Sequence, residues 1–169
     1  MQNTPIEDKP FADDGELAIQ PGAPPPTITR DFAATTFVVY QGCTLLLQHR
    51  KLGRWLPPGG HIDPHELPHE AAIREVREES GLEVELLDQG RTLGCVQVLP
   101  QPYCILLEAI GPGHQHIDFI YFARVRGGQL AHADREASAA RWFSWEELES
   151  SEIAEDIREL GRRAIESCR

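Results

Sequence analysis

A layered α/β domain is the fold class that the sequence predicts, and three observations carry it. Short β-rich stretches fall into two groups, one strongly helical segment lies between them, and the last stretch of the chain reads as an amphipathic helix. No apolar run approaches the twenty residues of a membrane span, and 169 residues suit one domain with a substantial core.

Residues 1–28 are polar and proline-punctuated, with too few bulky apolar side chains for a core, so the folded domain is placed at 29–169. This arm reads as flexible or loosely docked. Glu16 to Ile19 could add a strand to the domain, and a homodimer in which the arm crosses to a partner subunit is the alternative. Thr35 to Tyr40 and Cys43 to His49 then form a hairpin about Gln41 and Gly42. A basic loop follows, with Arg50, Lys51 and Arg54 ahead of Trp55. Phosphate contacts and a solvated loop are both open readings for these cations.

Pro68 fits a first helical turn and Gly81 a left-handed C-terminal cap, which bound a helix between them. Beyond it, Glu83 to Leu87, Thr92 to Leu99 and Cys104 to Ile110 read as short strands. Pro100 and Pro102 make the passage between the last two a connection or a sheet edge. Gly111 to His116 reads as a loop and Ile117 to Val125 as a central strand, apolar on both faces. His114 and His116 have no cysteine or obvious third ligand beside them, so substrate contact or an ordinary loop is preferred to a second metal site. Arg126 to Ser138 is a polar loop, Ala140 to Trp145 a strand, and Ser144 with Glu147 a capping-box pattern. Ile153, Ile157, Leu160 and Ala164 give the last helix an apolar stripe, read as packing and not chemistry.

Composition narrows the partners. With 27 acidic against 16 basic side chains the net charge is −11, which disfavours a nonspecific nucleic-acid binder. An acidic protein acting on an anionic substrate needs a cation between them. Cys43, Cys95, Cys104 and Cys168 show no zinc-like spacing and read as reduced thiols. The first residues carry no secretory pattern, so a cytoplasmic location is expected and no membrane partner.

The central helix holds the chemistry. Glu75, Glu78 and Glu79 stand at i, i+3 and i+4 and share one face, so three carboxylates repel unless arginines or a divalent cation offset them. Hard clustered oxygens suit Mg²⁺ or Mn²⁺ better than zinc. Ala72, Ile73 and Val76 form the apolar face that docks on a sheet. The plainer reading is a solvated helix with i,i+4 pairs such as Glu70 with Arg74.

The stretch from Leu56 to Leu82 resembles the Nudix box, Gx5Ex7REUxEExGU with U a bulky aliphatic residue. Gly60, Glu66, Arg74, Glu75, Val76, Glu78, Glu79, Gly81 and Leu82 fill every fixed position. One departure is Leu67, where similar proteins often have a Ser or Thr helix cap; its loss would cost about 1 kcal/mol. The resemblance implies an α/β/α sandwich around a mixed sheet, spanning roughly residues 30–165. It also implies Mg²⁺-dependent hydrolysis, with Mn²⁺ as substitute, of a phosphoanhydride in a nucleoside diphosphate linked to another moiety. Nucleotide sugars and nucleoside triphosphates are among the candidates.

Carried over by motif position, Glu75, Glu78, Glu79 and the Gly60 carbonyl match metal ligands. Arg74 and Glu66 match a pair that orients the carboxylates, and Gly59 and Gly81 have structural roles. The general base is a box glutamate, Glu79 among them, or Glu136 on a later loop. Arg50, Arg54, Trp55 and Tyr121 are substrate-binding candidates, with Trp55, Tyr103 and Tyr121 able to stack on a base or to fill core. The alternative function is a catalytically silent module that binds a nucleotide metabolite and regulates a partner. An eroded box marks such modules, and this box is intact.

Overall fold

A computed structural model describes residues 28–131 and 137–169. The expected arm, apart from Ile28, and the candidate base Glu136 lie outside the described residues. In chain order the elements are β1 (Thr29–Tyr40), β2 (Cys43–His49), β3 (Arg54–Leu56), β4 (Gly59–His61), α1 (Pro68–Ser80), β5 (Leu82–Leu86), β6 (Arg91–Leu93), β7 (Val96–Val98), β8 (Cys104–Gly111), β9 (His114–Gly128), β10 (Ala137–Phe143), a 3-10 turn (Glu147–Glu149) and α2 (Glu155–Ser167).

β1 and β9 run parallel, paired from Thr29 opposite His114 to Val39 opposite Arg124. Each is covered on its other edge by two shorter antiparallel strands. β4 and then β2 flank β1, while β8 and then β5 flank β9. β3 and β10 extend the sheet beyond β2. The sheet is therefore mixed, and its central strands need apolar side chains on both faces.

Alternation along β1 and β9 divides those side chains. Ala34, Tyr121 and Ala123 pack with Ala71 and Ala72 of α1, and Val38 packs with Val76. Phe37, Ile120 and Phe122 pack on the other side with Ile157, Ala164 and Ile165 of α2. Two helices on opposite faces make the α/β/α sandwich. Among the described residues, no helix is long and apolar enough to cross a membrane.

Several local expectations are corrected. The buried stripe of α1 is Ala71, Ala72 and Val76, whereas Ile73 is 38% exposed. Small alanines let the helix lie close to the sheet, and the bulkier Ile73 points away. Thr92 to Leu99 is a hairpin of β6 and β7 in a separate two-stranded sheet, because Gly94 takes a left-handed φ of 61° and turns the chain. His114 to His116 is strand and not loop; pairing with β1 on one edge and β8 on the other overrides its polar sequence. At the entry of α1 the Glu70 carboxylate accepts the Leu67 N–H at 2.9 Å, supplying half of a capping box without a Ser or Thr. Ser144 and Glu147 do exchange capping bonds, but over the 3-10 turn.

Gly81 ends α1 with φ 70°, its N–H donating to the Arg77 carbonyl, and an added Cβ would lie 2.8 Å from the Gln129 carbonyl oxygen. Gly81→Ala therefore combines left-handed strain with a backbone clash. It should lower stability by about 1–3 kcal/mol, read as a reduced denaturant midpoint with unchanged helix content by circular dichroism.

Candidate active site

The box loop and α1 meet at one guanidinium. Arg74 Nε and one Nη donate to the two oxygens of Glu66, each at 2.8 Å, in a bidentate fork. Its other Nη donates to Glu75 at 2.7 Å and to Glu78 at 3.3 Å, and the fork also reaches the His61 carbonyl at 3.0 Å. The pair is largely shielded, with Arg74 22% and Glu66 15% exposed at the side chain. The hydrogen bond from Arg74 holds the Glu66 carboxyl below its ordinary range, and the reciprocal bonds to Glu66, then Glu75, raise the guanidinium. Glu79 is positioned from the other direction, its carboxylate accepting the Gly59 N–H at 3.0 Å.

Glycine is required at both loop positions by close approach. A Cβ on Gly59 would lie 2.6 Å from Thr35 Oγ1, and one on Gly60 would lie 2.5 Å from Glu75 Oε1. Glu75, Glu78 and Glu79 offer hard carboxylate oxygens from adjacent turns of one helix face, with the bare Gly60 backbone against Glu75. That donor set fits Mg²⁺ or Mn²⁺.

Beside Gly59 and Gly60 opens a cleft of about 600 Å³ on the α2 face of the sheet. Its walls come from separate parts of the chain besides the β3–β4 turn: Thr35 and Phe37 belong to β1, His49 ends β2, Lys51 belongs to the basic turn, Glu108 to β8, His116 and Asp118 to β9, and Asp156 and Ile157 to α2. Asp118 is only 3% exposed; Thr35 Oγ1 donates to its Oδ2 at 2.6 Å, while its buried Oδ1 has no hydrogen-bond partner among the described residues. Burial pushes the Asp118 carboxyl above its ordinary value, against the opposing Thr35 bond. Glu108 is raised too, first by burial and then by the charges of Asp118 and Asp156. Neutral carboxyl groups can donate hydrogen bonds into the cleft as well as accept them.

The structure brings together Gly59, Gly60, Glu66, Arg74, Glu75, Glu78 and Glu79. It places the other candidates differently. Tyr121 is 3% exposed and packs against the alanines of α1, on the face opposite the cleft. Trp55 is half-buried and edge-on to Phe143, with ring centroids 5.0 Å apart, and Tyr103 stacks on Phe122 at 4.3 Å. Arg50 donates to the Ala137 carbonyl at 3.0 Å and Arg54 is exposed in β3, so Lys51 is the cation of this loop that lines the cleft. α2, expected only to pack, contributes Asp156 and Ile157 to the wall. Asp118 joins the cleft without having been among the expected site residues, although a carboxylate inside a largely apolar strand is itself a signal: a buried charge needs a reason.

Residues 30–164 match the NUDIX domain family, and the chain belongs to it. A solved NUDIX-family hydrolase from Clostridium perfringens superposes with a TM-score of 0.74 at 31% identity, covering 84% of this chain and all of the other. A Mycobacterium tuberculosis protein provisionally named 8-oxo-dGTP diphosphatase 3 is 44% identical over 110 residues, 62% of this chain and 46% of its own. The human 8-oxo-dGDP phosphatase NUDT18 is 32% identical over 130 residues, 73% of this chain and 35% of its own. The chain thus spans less than half the length of these two relatives.

The fork between Arg74 and Glu66 makes a stability prediction with a defined sign. Because the folded-state pKa of Glu66 is depressed, its contribution is complete above the unfolded value, near about 4.3, and disappears as pH falls through the folded one. Glu66→Gln should cost about 1–3 kcal/mol at neutral pH. Denaturant unfolding at a series of pH values should show the two proteins converging below about pH 4.

Proposed function

We propose that the chain hydrolyses a phosphoanhydride bond in a nucleoside diphosphate derivative or triphosphate, using Mg²⁺ or Mn²⁺, with oxidised guanine nucleotides the first substrates to test. One observation carries the reading: the Arg74 fork holds Glu75 and Glu78 on one helix face, with Glu79 anchored to Gly59, beside a cleft of nucleotide size. Glu75, Glu78 and Glu79 would hold a divalent cation, which would supply charge neutralisation at phosphate oxygens and a more acidic attacking water. Arg74 and Glu66 orient the carboxylates and do not themselves react. Glu79 is assigned as the base that takes the water proton.

The other groups of the cleft divide the work of recognition. Lys51 is a cation at its wall, suited to a phosphate oxygen. Asp118 and Glu108, both raised toward the neutral form, suit the donor and acceptor edge of a base. The names of the mycobacterial and human relatives refer to guanine nucleotides bearing an 8-oxo group, which supports that choice of base.

The test is turnover of a panel holding 8-oxo-dGTP, 8-oxo-dGDP, dGTP, nucleotide sugars and dinucleoside polyphosphates, with Mg²⁺ and with EDTA. Metal-dependent release from one class is expected, and Glu78→Gln should lower kcat by about 10²-fold or more while the protein stays folded. Asp118→Asn should raise KM for the preferred base by about tenfold and leave kcat nearly unchanged. Silence of the folded wild type across the panel would move the reading to the nucleotide-binding module.

A further inference from the structure

At the end of the cleft nearest the start of β1, four side chains converge from three neighbouring strands. Asp31 and Thr29 of β1 stand in register with His116 and His114 of β9, and His61 of β4 faces Ala33 of β1. By strand alternation Asp31, His114 and His116 share the face that carries Thr35 and Asp118. One ligand atom each from Asp31, His61 and His116 lie within 4.8 Å of one another. His61 Nε2 is 3.7 Å and His114 Nε2 3.6 Å from Asp31 Oδ2.

The two distances from Asp31 Oδ2 are too long for hydrogen bonds, yet close to the roughly 3.4 Å between two ligand atoms on one tetrahedral ion with bonds of about 2.1 Å. Rotation of the exposed Asp31 and His61 side chains covers the difference. The rings also crowd one another edge to face, His61 on His116 at 4.8 Å and His114 on His116 at 5.2 Å. Independently, Thr29 Oγ1 lies 2.9 Å from His114 Nδ1, which fixes that ring with Nε2 turned toward Asp31. Holding the second nitrogen in this way is how proteins aim a ligating histidine.

We propose that Asp31, His61 and His116, with His114 alongside, form a binding site for a first-row transition cation of the Zn²⁺ class, separate from the oxygen-only set of the box helix. Imidazole nitrogens with one carboxylate select borderline metals, whereas Mg²⁺ prefers oxygens. His61 and His116 also line the cleft, so the ion borders the space a substrate occupies. The strand β4 joins the two sets, with Gly60 facing Glu75 and His61 in the cluster.

The site is tested without turnover. Metal-stripped protein is titrated with Zn²⁺ by calorimetry in saturating Mg²⁺, and with Co²⁺ by visible absorption. One equivalent of Zn²⁺ and a Co²⁺ spectrum of low coordination number are expected. The double variant His61→Ala with His116→Ala should bind Zn²⁺ at least about tenfold more weakly, whereas Glu78→Gln should bind it like wild type. His61 is 61% and Asp31 53% exposed at the side chain, so Asp31→Asn provides a second variant with little risk to folding. The proposal is overturned by no Zn²⁺ uptake in the wild type, by unchanged affinity in the folded variants, or by loss of uptake in Glu78→Gln alone. None of these outcomes depends on the proposed hydrolysis.

Discussion

Parallel pairing of β1 with β9 is the constraint on which the molecule depends. Two strands aligned in the same direction cannot be joined by a tight turn, so the chain must leave the sheet and return. Residues 41–113 are that excursion, and they hold the basic turn, the box loop, α1 and β8. The pairing also sets which side chains meet. Asp31 falls beside His116, and Thr35, two residues past the Ala33 that pairs with Asp118, reaches that carboxylate with its hydroxyl.

Charge is the second constraint, and the box resolves it locally. Four carboxylates, Glu66, Glu75, Glu78 and Glu79, lie close together in a chain already carrying −11. A fork with five N–H groups can serve several of them at once, which a lysine could not. Arg74 therefore spans Glu66, Glu75 and Glu78 and leaves the helical i,i+4 partner Glu70 to cap the N-terminus. The same fork reaches the His61 carbonyl and ties β4 to α1. In this way the loop glycines are held against the helix that carries Glu75, Glu78 and Glu79.

The cleft uses the opposite strategy. Asp118 and Glu108 are sheltered from water with no arginine paired to them among the described residues, and burial raises both carboxyls. The box loop thus holds the Glu66 carboxyl below its ordinary range, while the cleft floor holds Asp118 and Glu108 above theirs. The separation comes from the partner each group finds, since all are ordinary Asp and Glu side chains.

The sequence by itself determined the α/β class, the box helix with its glycine stop, and the grouping of Glu75, Glu78 and Glu79, because helical periodicity and a spaced motif are local properties of the chain. It also marked the Ile117 to Val125 core strand by its apolar run. Tertiary structure alone decided that His114 and His116 join a strand, that Asp31 and His61 meet them, that Tyr121 lies under α1, and that Asp156 of α2 reaches the cleft. Each of these depends on strand register and on which face of the sheet a helix covers. Both are fixed by pairing between distant segments, Thr29 with His114 being 85 residues apart, and no local pattern records that distance.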